Sequence, residues 1–286
     1  MAANFWASSH CNRWLFSRSQ LDKRKEHGRG SFSPEEVQVL NCHLLGLVEK
    51  IGEGLKWRQT VIATAKVLYK RFYIQKTLEK FDPRLIMVTS MYLAAKIEEM
   101  GQYSLTKLLN QVKAETRPFT LFPRYTAQHV HDFEFHVLQA VSFDLVVFHP
   151  YQYLITYTAD ADVDKETLQT AWDVLNDSYQ TDVILVYPPH LIALAALYFA
   201  AVYLQRDVKT WYNRLNIPIP EIKNILNELT RMYKQRVDRQ EHFEEARKLV
   251  AKKVYEKFKP MLEEQQRQHA KRKRENDERK RKKQKK

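Results

Sequence analysis

Residues 82–99 read Asp-Pro-Arg-Leu-Ile-Met-Val-Thr-Ser-Met-Tyr-Leu-Ala-Ala-Lys-Ile-Glu-Glu, and this stretch decides the fold. Asp82-Pro83 is a helix start. An Asp side chain accepts from the first unpaired N–H groups, and Pro at the first helical position has no hydrogen bond to lose. From Leu85 to Ile97 the residues are apolar or small nearly all the way round, whereas an amphipathic surface helix shows a charged face. The stretch is therefore expected to be a helix buried on every side. Lys96, Glu98 and Glu99 then bring charge to its far end. A core helix that emerges charged is a rigid mount for something at the surface.

The same pattern returns 106 residues later. Pro83-x-Leu-Ile, five residues, Tyr-Leu-Ala-Ala is matched by Pro189-x-Leu-Ile, five residues, Tyr-Phe-Ala-Ala, and Thr64-Ala65 by Thr170-Ala171 at the same offset. Two matches at one offset indicate an internal repeat. Around the first copy, helical spacing predicts helices over 34–51, 57–73, 105–113 and 124–141, the first opened by Ser33-Pro34-Glu35-Glu36. Around the second it predicts helices near 165–181, 189–205 and 218–237. Residues 4–24, with Phe5, Trp6, Trp14, Leu15 and Phe16, form a short aromatic helix in this reading, followed by a break at Gly28 and Gly30. The fold class is all-α: two tandem five-helix repeats with an N-terminal helix and a charged C-terminal extension. The division is 1–33, 34–145, 146–238 and 239–286. Lys96 has Val202 as its counterpart, and Glu98 and Glu99 have Leu204 and Gln205. The charged end belongs to the first repeat alone, so a partner is expected to dock there.

Composition narrows the function. Only six glycines and ten prolines among 286 residues argue for helices over a turn-rich β fold. No run of 18 uncharged apolar residues occurs, so no membrane span is expected. Residues 1–10 lack the layout of a signal peptide, and Cys11 and Cys42 make neither a disulfide framework nor a four-thiolate zinc site, which points to a reducing compartment. Of the net charge of +13, residues 267–286 hold +9 and the rest of the chain +4. No phosphate loop, metalloprotease, serine-hydrolase or kinase motif is present. His129, Asp132 and His136 share one helix face and are the best metal candidate, but three ligands on one helix usually need a fourth from elsewhere, so the preferred reading is a solvated face opposite Val130, Phe133, Val137 and Leu138. No metal, no cofactor and no catalytic residue is expected. Glu98 and Glu99, at the negative end of a helix dipole, suggest an external Arg or Lys as partner, beside the plainer reading of a solvated helix end.

Two five-helix repeats, the first closing its central helix on Leu93-Ala94-Ala95-Lys96-Ile97-Glu98-Glu99 and ending on Glu134…Val137-Leu138…Val141-Ser142-Phe143-Asp144-Leu145, resemble the cyclin box. Within the cyclins the chain is most similar to C-type cyclins, through Asn4-Phe5-Trp6-x-Ser8-Ser9-His10, Arg58-Gln59-x-Val61-Ile62-Ala63-Thr64-Ala65…Lys70-Arg71-Phe72-Tyr73, Val147-x-His149-Pro150-Tyr151 and Tyr187-Pro188-Pro189. The resemblance spans about residues 1–238. It implies a non-catalytic subunit that binds and activates a cyclin-dependent kinase of the Mediator kinase module, regulating RNA polymerase II transcription. Cyclins of this kind press the end of repeat one against a mobile kinase helix, setting the kinase's Lys–Glu pair for phosphoryl transfer. Carried over by position, the kinase-binding residues are Lys96, Glu98 and Glu99, with Phe5, Trp6 and Trp14 of the N-terminal helix both packing on the body and contacting the kinase. The acid that partners the lysine in cell-cycle cyclins is placed here at Lys107, so Glu98 and Glu99 are expected to supply it instead. The substrate-docking patch of cell-cycle cyclins corresponds to Leu40-Asn41-Cys42-His43-Leu44…Leu47, with Lys50 in place of the arginine-binding Glu. No Arg-x-Leu docking is therefore expected.

The extension lies outside the resemblance. Phe243, Leu249, Val250, Val254, Phe258 and Leu262 are sparse among many i, i+4 charge pairs, which predicts an exposed, extended helix. Lys271, Arg272, Lys273 and Arg274, then Arg279, Lys280, Arg281, Lys282 and Lys283, form two basic clusters read as a nuclear-localisation signal for an import receptor, or as a nucleic-acid patch. A disordered solubilising tail is the plainer alternative. The expected location is nuclear. The rival function is a two-repeat DNA-binding basal transcription factor without its zinc ribbon; two cysteines cannot build that ribbon, and a body of +4 is thin for a duplex.

Overall fold

A computed structural model describes the backbone of residues 4–101, 104–117, 121–238 and 240–283; side chains are described through 237, from 243 to 261, and at 263, 264 and 267. Among the described residues all regular structure is helical. A 3₁₀ turn at Phe5–Ala7 precedes α1 (Ser9–Trp14), α2 (Arg18–Arg29), α3 (Pro34–Gly54), α4 (Gln59–Gln75), α5 (Pro83–Ile97), α6 (Leu105–Glu115) and α7 (Ala127–Ala140). The second repeat comprises α8 (Tyr151–Asp160), α9 (Lys165–Ser178), the short α10 (Val183–Val186), α11 (Pro189–Tyr203), α12 (Lys209–Arg214) and α13 (Ile219–Asp238), and α14 (Gln240–Lys283) follows.

The repeat read from sequence is a repeat of structure. Helices α9 and α11 begin 106 residues after α4 and α5, and both central helices, α5 and α11, are 15 residues long. Every residue of α5 from Pro83 to Ala95 is buried. Asp82 does more than cap this helix. Wholly buried, it accepts from Arg84 N, Nε and Nη2 at 3.0, 2.9 and 2.8 Å and from the Tyr125 hydroxyl at 2.9 Å. A buried carboxylate is tolerable only when paired and hydrogen-bonded in this way. The two central helices also end alike: Glu99 (φ 50°) and Gln205 (φ 56°) close them in the left-handed region. There the N–H of the next residue returns to Ala95 O (3.0 Å) or Ala201 O (2.7 Å), a Schellman-type cap without glycine.

The N-terminal stretch is not one helix. Ser8 and Ser17 each accept from the backbone N–H three residues on, of Cys11 and Gln20, Ser17 in a full capping box with Gln20, and these caps cut residues 4–29 into a 3₁₀ turn and two α-helices. Gly28 lies inside α2, where an added Cβ would come within 2.8 Å of Tyr73 O; the break falls at Gly30, φ 60°. The segment bridges the repeats, since Phe16 N–H donates to Leu185 O (2.8 Å) and Phe148 N–H to His10 Nδ1 (3.0 Å).

The extension also differs from expectation. It is helical, but a stripe of Val250, Val254 and Phe258 is buried and α14 packs on α3. Lys253 Nζ donates to Glu36 Oε2 and Oε1 at 2.6 and 2.9 Å and sits 4.8 Å from the centre of the Phe32 ring, while Lys257 pairs with Glu79. The basic clusters at Lys271–Arg274 and Arg279–Lys283 lie on the backbone of α14, and their side chains fall outside the described residues.

Candidate functional site

The surface end of α5 is built from three elements. Lys96 Nζ donates to Glu134 Oε1 of α7 at 2.5 Å and lies 4.4 Å above the Tyr92 ring. Partial burial works to lower the Lys96 pKa, but the hydrogen bonds to Glu134 and Tyr92 outweigh it and hold the ammonium above its ordinary value. The lysine's acid is thus Glu134, inside the same chain. Lys107 is exposed on α6, and neither Glu98 nor Glu99 is the ion-pair partner of Lys96 within this chain. Sequence reasoning looked one helix on, whereas the pair forms across the packed faces of α5 and α7, 38 residues apart.

Glu98 faces inward. Its carbonyl accepts from the Arg58 guanidinium and its Oε1 from the Thr64 hydroxyl at 2.7 Å. Thr64 Oγ1 is 2.8 Å from His149 Nε2, and His149 Nδ1 is 2.6 Å from the Tyr179 hydroxyl. An ionised carboxylate only accepts, so Thr64 donates to Glu98. His149 Nε2–H then donates to Thr64, and Tyr179 O–H donates to Nδ1. Burial, with the Arg71 guanidinium nearby, pushes the His149 pKa down to about 3, so the ring is the neutral donor-acceptor this order requires. One line of hydrogen bonds therefore runs from Tyr179, the residue that caps α9 of the second repeat, through the connector and α4, to the tip of α5. Glu99 is exposed.

Beside this tip two aromatic side chains face solvent. Phe135 is 61% and Phe143 56% exposed, their ring centres 6.1 Å apart, with Val146 58% exposed on the same connector. Ser142 (φ 54°) and Phe143 (φ 58°) are consecutive left-handed residues, a conformation costing about 1–2 kcal/mol per residue for L-amino acids. The turn sends Phe143 outward and Asp144 inward, where the Asp144 carboxylate takes Trp14 Nε1–H at 2.9 Å and pairs with Arg13. Phe135 was open to detection from sequence, as a large aromatic on the face of α7 that carries His131, Asp132 and Gln139.

Of the three N-terminal aromatics, Phe5 (4% exposed) and Trp14 (2%) are interior, Trp14 lying against the Arg71 guanidinium, 4.9 Å from its carbon. Only Trp6, 62% exposed, can touch a partner directly, so Phe5 and Trp14 act as anchors of the body. His129, Asp132 and His136 do not converge. His129 Nδ1 accepts from Thr126 N–H (3.0 Å), Asp132 from Gln128 (2.7 Å), and His136 packs on Phe81 and Phe133. Among the described residues no group of three His, Cys, Asp or Glu side chains could hold a metal ion, and no described helix is long and apolar enough to cross a membrane.

The family model for the cyclin N-terminal domain matches residues 25–146, and that for the cyclin C-terminal domain matches 135–235. The chain belongs to the cyclin family. Within this family it is most like C-type cyclins: it is 37% identical over 240 residues to Cyclin-C of Rattus norvegicus, covering 82% of this chain and 84% of that one. Its fold is like a chain of the CAK complex of Chaetomium thermophilum bound to ATP-gamma-S, with a TM-score of 0.70, 21% identity and 88% of each chain covered. It is also like a chain of the yeast RNA Pol II CTD kinase CTDK-1 complex, with a TM-score of 0.66, 18% identity, and 79% of this chain and 74% of that one covered.

Proposed function

We propose that this cyclin is the non-catalytic activating subunit of a cyclin-dependent protein serine/threonine kinase, and that the kinase is the one of the Mediator kinase module, acting on RNA polymerase II transcription in the nucleus. The observation that carries the reading is the exposed Phe135–Phe143 pair beside the Lys96–Glu134 ion pair. Solvent-exposed aromatics clustered around a fixed charge are the composition of a protein interface core and its polar surround. The mount beneath them is stiff, because α5 is buried along its length and its tip is tied to the second repeat through Thr64 and His149. A stiff surface can hold a mobile kinase helix in the position that phosphoryl transfer needs. Exposed Trp6, whose ring packs on Phe5 and His190, is a further kinase contact in this reading. The likeness to Cyclin-C and to a cyclin fold within a polymerase-directed kinase complex supports the same direction. The basic clusters of α14 serve an import receptor in this reading.

The test is mass spectrometry of the native complex, followed by reconstitution. A cyclin-dependent kinase recovered with Mediator subunits supports the whole reading. A kinase without them removes the Mediator assignment, and promoter DNA with polymerase but no kinase removes both. In reconstitution, Phe143→Asp is expected to abolish kinase stimulation; full stimulation by that variant would move the docking surface elsewhere.

A further inference from the structure

Repeat two carries a row of aromatic rings contributed by three helices. His190 of α11, Tyr153 and Tyr157 of α8 and Trp211 of α12 follow one another with ring centres 6.1, 6.4 and 6.0 Å apart. All four are half-buried, so each is seated on the repeat and still open to water. Tyr153 and Tyr157 lie about one helical turn apart, flanking the face of α8 that buries Leu154 and Thr158. Trp211 is held in place by its Nε1–H, which donates at 2.7 Å to Asp160 Oδ2, the last residue of α8.

The polar groups of the row are of two kinds. The Tyr153 and Tyr157 hydroxyls form no hydrogen bond to the protein among the described residues. Burial holds the Tyr157 phenol above its ordinary pKa and the His190 imidazole below its own, so at pH 7 both are neutral and the tyrosine stays an O–H donor. Asp160 is exposed, and among the described residues no cation pairs with it. The row therefore offers O–H donors along its length and one open carboxylate oxygen at the Trp211 end.

We infer that this row docks a proline-rich segment of a partner protein, in polyproline II conformation, with an Arg or Lys placed over Trp211 and against Asp160. Such a chain has no internal hydrogen bonds and few N–H groups, so its carbonyls need donors, which the tyrosines supply. Its pyrrolidine rings seat on aromatic side chains, and its preformed backbone loses little entropy on binding. At about 3.1 Å per residue, three gaps of about 6 Å take on the order of six residues. Asp160 selects the cation by charge, and the indole adds a stacking face for it. Lys209 and Arg214 of α12 are exposed, which makes a nucleic-acid strand the competing occupant. Bases, however, stack on open ring faces, whereas these neighbours tilt by 58°, 33° and 60° against one another, and the charge bonded to the row repels phosphate. The four rings belong to repeat two, with Trp6 5.5 Å beyond His190. The test uses no kinase, so its failure and that of the kinase assignment are distinguishable.

The experiment uses the full chain and four fluorescent probes: a ten-residue peptide with an arginine at each end and six prolines between, the same peptide with glycines for the prolines, the same with glutamates for the arginines, and an oligothymidine of matched length. The arginine–proline peptide is expected to bind at least tenfold more tightly than the glycine peptide and about fivefold more tightly than the glutamate peptide. Tyr153→Ala is expected to weaken it about tenfold. Asp160→Asn keeps an acceptor for the Trp211 N–H and removes the charge, so it should erase the preference for arginine over glutamate while binding of the prolines persists. An unchanged urea midpoint in each variant checks the fold. A photo-crosslinker in the peptide should map to residues 153–160 and 211. Equal binding of the proline and glycine peptides, no binding of the arginine–proline peptide, an undiminished affinity in Tyr153→Ala, an arginine preference that survives Asp160→Asn, or displacement of the peptide by oligothymidine at lower concentration would each overturn the proposal.

Discussion

Lys96 and Glu134 form a partly exposed pair, with side chains 37% and 17% exposed. Such pairs contribute about 0–1 kcal/mol to folding, so stability gives little reason for this one, and its removal should show in function. Lys96→Ala and Glu134→Gln are each expected to shift unfolding free energy by no more than about 1 kcal/mol while lowering kinase stimulation more than tenfold. A stimulation that merely tracks the stability change would count against a docking role. The helix caps allow a sharper comparison. Glu99 and Gln205 both occupy left-handed backbone, where glycine avoids the Cβ clash but adds unfolded-state entropy. Glu99→Gly and Gln205→Gly should therefore both stabilise, by about 0.5 kcal/mol each. If the Glu99 carboxylate contributes to docking, only Glu99→Gly reduces stimulation; equal behaviour of the two in the kinase assay assigns residue 99 to the cap alone. Lys96 could be picked out from sequence because a charge interrupts an apolar run. Glu134 could not, because its pairing depends on the rotation of α7 about its own axis.

Helix α14 is the element whose reading changed most. Phe258, Val254 and Val250, at i, i+4 spacing among lysines and glutamates, look in sequence like an exposed helix; they are buried because α3 leaves an apolar face uncovered. Helices α5 and α11 were legible for the opposite reason, since an uninterrupted apolar run has no other place in a soluble fold. The N-terminal helices were misjudged because Ser8 and Ser17, single capping residues, outweigh aromatic spacing. The docking of α14 has a checkable pH signature. Hydrogen bonds from Lys257 and from Ser31 hold the Glu79 carboxyl down at about 2. Burial acts to raise that of Glu36, but the Lys253 and Ser33 hydrogen bonds lower it on balance. A carboxylate whose folded pKa is depressed contributes above its unfolded value and loses that contribution as pH falls toward the folded one. For Glu79 the window is from about 4.5 down to about 2. The protection of amides across residues 243–258, taken relative to their intrinsic exchange rate at each pH, should fall in that window, and also in high salt at neutral pH, because the pairs are exposed and screened. Glu36→Gln with Glu79→Gln should give the same loss at pH 7; protection indifferent to all three changes would leave the apolar stripe as the only anchor.

At the scale of the molecule, the two repeats are held in register by a polar seam that needs neutral histidines. His149 donates to Thr64 and accepts from Tyr179, and His10 accepts the Phe148 N–H, a bond that protonation of Nδ1 would break. This seam was invisible in sequence, because it joins residues as far apart as 138 positions through a packing that only the folded repeats create. Burial first, and the Arg71 charge after it, lowers the pKa of both His10 and His149 to about 3; His43 falls to about 4 for its own reasons. Each of these groups stays neutral when folded and takes a proton near 6.5 when unfolded, so between pH 6.5 and 4 the unfolded chain binds more protons. Stability must then fall as pH falls, at up to about 1.4 kcal/mol per pH unit for each histidine. Carboxylates such as Glu79 keep their contribution above about 4.5 and lose it only below that, so the interval from 7 to 5 isolates the histidines. Urea midpoints measured at half-unit steps across it should decline steadily below 6.5. His149→Gln, compared with its own value at pH 7, should decline less steeply by one histidine's share. Midpoints that stay level, or a variant with the full slope, would mean that the seam accepts protons while folded and does not hold the repeats together as a neutral network.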